Sequence, residues 1–597
     1  MASASAIRAR LHGATDDGPA TLRAYLTVAF MAGCVIVFAA EVYARRWISD
    51  DGLIAVRQVK QILEGDGPTY NVGERDEVNT SVLWTWILVA AGWLFGGDLA
   101  LLAVCVGGLL SVAALAVALD ASRGFQRSRG SDALLLPAGA LVVLGVIPFW
   151  DYGTSGLETG LCLLWAAGSW WLLVRARPEH GTVRRYGTAV VLGLGPLVRP
   201  DFALVSAVFL VAMTMLTGVR WRGGLALTGA AALLPVAYEV FRAGYYGILV
   251  PMPGLAKEAS GSHWDRGFGY FNDFLGTYKL WLPLALFCVL VTHLYGRTRP
   301  DRREAVLVAA PIAAALLLCA YVVRVGGDYM HARMWLTPTL LMLLPLLLVP
   351  ATRPVGVIVA LLGLWATVAG VDARTSYRNM TWGPQMITNE REFEAAFFEA
   401  RHPVNSRDHT TGAWGRYLVP LVEKARRSPV PVLLYMAHSN QTDSDYLTTI
   451  PLAPGRGKSL AFFWDNLGMT AAMLKLDEVV VDRNGLATPL AGHLRLDKPG
   501  RAGHEKSLPL TWVLAKYADP AAVVALPDDA NIDKDAVVAA RHALTCGDLK
   551  DLVDSTEKPL TAGRFWKNLT GSWDRTRLRV PSDPFEAERT FCGTPQE

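Results

Sequence analysis

Apolar stretches nearly as long as a bilayer is thick recur through the first 371 residues, and this pattern limits the chain to a membrane-embedded helical bundle. One span needs roughly 20 apolar residues, and runs approaching that length repeat from Leu22 to Val371. Peptide groups find no water partner in lipid, so such runs must be helical. With 52% hydrophobic and only 18% charged residues, the composition excludes an ordinary soluble protein. From Asp372 to Glu597, charges, Pro and Gly return at globular density. The chain therefore divides into a membrane domain, 1–371, and a soluble domain of ordinary size, 372–597. The polar stretch Met1 to Ala20 lacks the form of a cleavable signal, and Tyr25 to Ala40 is long enough to stay as a span.

The arginines set the orientation. Arg123, Arg127 and Arg129 form one group, Arg175, Arg177, Arg184 and Arg185 a second, Arg220 and Arg222 a third, and Arg297, Arg299, Arg302 and Arg303 a fourth. The positive-inside bias places all four in the cytoplasm with the N-terminal tail. That holds only if Val82 to Phe95 does not cross. Its 14 apolar residues match a re-entrant or interfacial segment, and Trp84, Trp86 and Trp93 suit the headgroup level. Spans are then expected near 22–44, 98–119, 133–148, 157–174, 186–198, 202–217, 225–242, 278–295, 305–323, 335–350 and 355–371. Eleven crossings put the soluble domain outside. Gly193, Gly195 and Pro196 shorten the fifth, which forms a shallow hairpin with the sixth if it does not cross. The expected fold is a polytopic α-helical membrane protein with an extracytoplasmic, mixed α/β C-terminal domain. Five of the seven cysteines lie in apolar helices; the outer pair, Cys546 and Cys592, suggests a disulfide in an oxidising compartment.

On this topology the residues able to do chemistry gather on the outer side. Trp47-Ile48-Ser49-Asp50-Asp51 follows the first span and precedes an amphipathic stretch. Two adjacent carboxylates there suit a base and its partner, while Ser49 or an aspartate also suits a helix cap. The second outer loop, with Asp151, Tyr152, Thr154 and Ser155, ends at Glu158, a carboxylate entering an apolar run and therefore expected to face a cavity or a partner. Arg199-Pro200-Asp201 and the segment from Arg324 to Arg333, with Asp328 and His331, bring cations to headgroup depth. The arginine fork is suited to phosphate, against snorkelling from a helix end; a lone histidine is more often a satisfied structural residue. No spacing indicates a metal site, and no nucleotide-binding glycine motif occurs, so no nucleotide cofactor is expected and a divalent cation is left open. Mid-span charges are nearly absent, Glu41 being the main exception, which argues for chemistry at the outer surface over ion-coupled transport.

Taken in order, Trp47-Ile48-Ser49-Asp50-Asp51, Thr154-Ser155-Gly156-Leu157-Glu158-Thr159, Arg199-Pro200-Asp201 and Gly327-Asp328-Tyr329-Met330-His331 resemble the GT-C membrane glycosyltransferases. Within them the chain is similar to the terminal β-(1→2)-arabinofuranosyltransferases of mycobacterial-type cell walls, over essentially its whole length, including Gly485 to Leu490 and Gly503 to Lys506. The resemblance implies a polyprenyl-phosphate arabinofuranose donor and an arabinan acceptor of arabinogalactan or lipoarabinomannan. It implies an essential acid in the first outer loop, at Asp50 or Asp51; Glu158 is a further catalytic candidate, and Arg199, Asp201, Asp328, His331, Arg333, Trp47 and Tyr152 are the substrate-binding candidates. A β-linked donor giving a β-linked product further implies double displacement or front-side attack. Trp414, Trp464, Trp512, Trp566 and Trp573 of the outer domain are candidates to stack on sugar. The competing readings are another GT-C enzyme using a different lipid-phosphate sugar, and a polyprenyl-linked glycan transporter or wall-assembly scaffold.

Overall fold

The computed structural model describes residues 18–296, 300–371, 384–439, 444–456, 459–497, 500–527 and 531–593. Its first part is helical: α1 (Gly18–Ala44), α2 (Asp50–Glu64), α3 (Val82–Phe95), α4 (Leu99–Ser128), α5 (Thr159–Arg175) and α6 (Thr182–Gly193). These are followed by α7 (Ala203–Thr217), α8 (Trp221–Tyr245), α9 (Trp264–Thr277), α10 (Trp281–Tyr295), α11 (Arg302–Val325) and α12 (Arg353–Val371). Among the described residues six helices are long and apolar enough to cross a bilayer, and α9 with α10, bent by 80°, makes a seventh if the two are one span. Leu225, Leu233 and Val236 of α8 stand mostly exposed on the bundle surface, as lipid requires and water would not favour.

The other four expected spans are short or broken. α5 has 17 residues, and α6 stops at Gly193, where an added Cβ would lie 2.1 Å from the Ala231 carbonyl. Gly193 therefore lets α6 and α8 touch backbone to backbone. The segments 133–148 and 335–350 are interrupted at Pro137 and Pro345, whose rings cannot donate to a helix ladder. Each contributes only an eight-residue helix, Ala138–Gly145 and Leu336–Leu343, and the two meet in a short antiparallel ladder, Leu135 opposite Pro350. α3 is a separate helix of 14 residues, about 21 Å long at 1.5 Å per residue, against a hydrocarbon core of roughly 30 Å. Trp86 and Trp93 are exposed on it, but Trp84 is buried and donates its indole N–H to the Gly156 carbonyl at 2.9 Å. Trp84 is thus an internal tie rather than a headgroup anchor.

The soluble part contains α13 (Glu390–Phe397), α14 (Ala413–Arg426), β1 (Val432–Ser439), β2 (Ser444–Pro451), β3 (Leu460–Trp464), α15 (Leu467–Met473) and β4 (Val479–Asp482). Then come α16 (Leu510–Tyr517), α17 (Lys534–Ala543), α18 (Gly547–Glu557), α19 (Ala562–Arg577) and α20 (Pro584–Cys592). The four strands form one mixed sheet in the order β2-β1-β3-β4, antiparallel between β1 and β2 and parallel elsewhere. Strand periodicity sorts its side chains between two cores. Leu433, Tyr435, Ala461 and Val481 pack with α16, α17 and α18. Leu434, Leu460, Phe462 and Val480 pack instead with Ile54, Tyr70 and Val78. The first outer loop is therefore part of the soluble domain's core, although the chain places it in the membrane half. Buried Arg57 of α2 completes that joint by donating to the carbonyls of Tyr70, Lys475 and Glu478 at 3.0, 3.1 and 2.7 Å. Cys546 and Cys592 are bonded, tying the start of α18 to the end of α20.

Candidate active site

α2 begins where the two outer loops clasp each other. Ser49 is its N-cap: the hydroxyl accepts from Gly52 N at 3.0 Å and donates to the Ser155 carbonyl at 2.9 Å. Thr154 accepts from the Trp47 backbone, and the buried Trp47 indole donates to the Asp151 carbonyl. Gly52 is obligatory here, because an added Cβ would lie 2.8 Å from the Ser155 carbonyl. Thr154 and Ser155 thus bind the first loop rather than start the next helix.

This clasp gives the adjacent aspartates different tasks. Asp50 is partly buried, and its two oxygens accept from Gly468 N at 2.9 Å and Met469 N at 2.7 Å, capping α15 of the soluble domain from across the seam. Burial pushes its carboxyl up to about 6, with nearby Asp51 adding to the rise and the two amides opposing it. The Asp50 backbone N–H donates to both oxygens of Glu394, at 2.9 and 3.1 Å. Glu390 and Glu394, one turn apart on α13 and both buried, are held well above the usual carboxylate range by burial and by the neighbouring acids. Asp51 points elsewhere.

Asp51 lines a cavity of about 420 Å3 between the bundle and the soluble domain, together with Glu158, Arg199, Asp201, Asp328 and Arg333. Six of the residues singled out in the sequence therefore meet in one place. They are mostly paired. Arg199 donates to Glu158 at 2.8 Å and to Asp201 at 2.9 Å. Arg333 donates to Asp328 at 2.7 Å. Arg242 is paired with Glu77 and Glu239, and Arg266 with Glu505 at 3.1 Å. Asp51 and Lys257 are the charged side chains of the lining that have no ion partner among the described residues. A carboxylate and an ammonium without a contacting counter-charge, set among the paired groups of one cavity, can receive a proton and an anion respectively.

Besides Asp50, three expected site residues lie outside this lining. Trp47 and Tyr152 are buried with ring centroids 6.3 Å apart and serve the clasp. His331 is satisfied on both nitrogens, by Asp273 at 2.5 Å and the Tyr278 hydroxyl at 3.1 Å. Lys257, Glu390 and Glu394 had no sequence signal, since each acquires its neighbours through folding. Among the described residues, the group of three ligand-type side chains close enough to share a metal is His542 with Cys546 and Cys592, and these cysteines are bonded to each other.

A polytopic bundle, an interlocked soluble domain and a charged cavity at their junction define a membrane-bound enzyme working at the bilayer surface. The profile of the AftB family C-terminal domain matches residues 422–589. A terminal β-(1→2)-arabinofuranosyltransferase of Mycobacterium tuberculosis is 34% identical, covering 92% of this chain and 95% of its own length. One from Corynebacterium glutamicum is 33% identical over 100% of this chain and 92% of its own. The chain belongs to this family of arabinofuranosyltransferases: it is a multi-pass membrane glycosyltransferase. A crystal structure of ArnT from Cupriavidus metallidurans bound to undecaprenyl phosphate aligns with a TM-score of 0.39 at 17% identity, covering 66% of this chain and 72% of that one.

Proposed function

We propose that the cavity between bundle and soluble domain transfers arabinofuranose from a polyprenyl-phosphate donor to the ends of cell-wall arabinan, forming β-(1→2) linkages. The observation that carries the assignment of roles is the unpaired couple, Asp51 and Lys257, in a lining whose other charges are neutralised. The membrane domain, 1–371, crosses eleven times in GT-C fashion, its short segments joining in pairs, and the soluble domain, 372–597, lies outside the cell as a cap.

Transfer breaks the bond between the sugar's anomeric carbon and the phosphate oxygen, leaving the electron pair on the lipid phosphate. Lys257 supplies the uncompensated positive charge for that anion. Arg199 and Arg333, held by Glu158, Asp201 and Asp328, present their remaining N–H groups in fixed directions. Asp51 takes the proton of the acceptor hydroxyl in a front-side attack, on the face the phosphate leaves, or attacks the anomeric carbon as the first step of a double displacement; either route retains configuration. Asp50 and Ser49 position this carboxylate through the start of α2.

Purified full-length protein, given a synthetic polyprenyl-phosphate arabinofuranose and an arabinofuranoside acceptor, should release polyprenyl phosphate and extend the acceptor through the 2-hydroxyl. Extension with a mannosyl donor but none with arabinofuranose would overturn the substrate assignment.

A further inference from the structure

The soluble domain carries a second concavity away from the charged cavity, an open groove of about 740 Å3. That volume falls within the roughly 300–1,000 Å3 typical of ligand sites. Its walls are aromatic. Trp414 on α14 is 41% exposed and held in place by Phe397, with ring centroids 6.2 Å apart and planes 16° from parallel, and by Trp464 at 6.0 Å. Tyr417, nearly one turn further along α14, is 52% exposed, and Tyr446 on the edge strand β2 is 42% exposed. The rim adds Asp445, Asp465 and Asn466.

Two features select the occupant. Among the described residues no lysine or arginine lines the groove, so nothing there favours a phosphate or a lipid headgroup. The other feature is the fixed mounting of the exposed Trp414 ring, which packs on Phe397 and Trp464. Rigid exposed rings beside carboxylate and amide groups match an uncharged ligand with C–H faces and many hydroxyls.

The groove is also close to the charged cavity. Asn466, at its rim, stands two residues before Gly468, whose N–H binds Asp50, the neighbour of Asp51. At 3.8 Å between successive Cα atoms the separation is on the order of 15 Å, within reach of a few linked sugars. We infer that this groove is a second glycan subsite, holding internal residues of the acceptor while its end occupies the charged cavity. The inference rests on the proposed arabinan acceptor.

The test compares full-length protein acting on an arabinofuranosyl disaccharide and on an octasaccharide. Wild type should show a lower KM for the octasaccharide. Trp414→Ala and Tyr446→Ala should each raise that KM roughly tenfold, the scale of one aromatic contact, and erase the preference for length. Phe585→Ala, at an exposed aromatic ring on α20 outside the groove lining, serves as the control and should keep the preference. Thermal melting identifies any variant that fails to fold, and Tyr446 on an edge strand gives the milder change. Absence of a length preference in wild type, or its persistence in both folded variants, overturns the subsite. Failure of wild type to extend either acceptor refutes the acceptor reading instead.

Discussion

Replacing Asp50 and Asp51 separately by Asn should produce opposite phenotypes. Asp50 accepts two backbone N–H groups. Asn keeps one acceptor and turns an amide N–H toward the other donor, a loss of about 1–3 kcal/mol. Against this, the buried carboxylate titrates near 6 in place of 3.8, so holding it ionised at neutral pH costs about 3 kcal/mol. Asn removes that penalty. The two effects nearly cancel, and Asp50→Asn should melt within about 2 kcal/mol of wild type at pH 7. It should, however, lose a pH dependence. A carboxyl whose folded pKa is raised contributes stability that is fully present below the unfolded value and disappears as pH rises through the folded one. Wild type should therefore weaken more steeply than the variant between pH 3.8 and about 6, the slope left in the variant coming from Glu390 and Glu394. Asp51 has no ion partner, so Asp51→Asn should change stability by less than about 0.5 kcal/mol while lowering transfer by roughly 100- to 10,000-fold. The assay is release of polyprenyl phosphate at saturating donor, beside thermal melting in detergent across that pH range. Turnover by Asp51→Asn within tenfold of wild type would refute the division of labour, as would an equal loss in Asp50→Asn with unchanged melting.

Lys257→Gln removes the uncompensated cation and should raise KM for the polyprenyl-phosphate donor about tenfold or more, with acceptor KM little changed; equal donor KM in titrations would remove Lys257 from the phosphate site. Opening the Cys546–Cys592 bridge, which closes a separation of 46 residues, should cost the soluble domain about 4 kcal/mol, read as a lower melting temperature of Cys592→Ser and as a mass difference after alkylation with and without reductant. A cysteine in place of Gly97, just beyond the exposed end of α3, should react with an impermeant thiol reagent applied to intact cells; protection there would contradict the eleven-span topology.

The residues legible in the sequence were those whose neighbours along the chain reveal them. Asp51, Glu158, Arg199, Asp201, Asp328 and Arg333 stood out because charge at a membrane boundary is costly, and the fold brings them to one cavity. The 14-residue helix at Val82 was legible from its length alone. Lys257 was not, because its significance lies in the pairing of every other cation around it, a property of the folded lining. Trp47, Tyr152 and His331 looked functional beside the charged motifs and are framework, since only the structure shows that their polar atoms or rings are engaged by the clasp or by Asp273 and Tyr278. Pro137 and Pro345 were visible as letters, but hydropathy averaging hid their effect on segments 133–148 and 335–350.

The hydrogen bonds from α15 to Asp50 join residues 418 positions apart. At about 5–20 residues per second of synthesis, roughly 20 to 80 s separate the making of the two halves of this contact. During that interval the start of α2 lacks the partner that fixes Asp50, and so lacks the frame that aims Asp51. A chain released early can have all its spans inserted and still be idle. With Asp51 in the role proposed for it, the enzyme becomes competent only once its last-made domain has closed over its first-made loop.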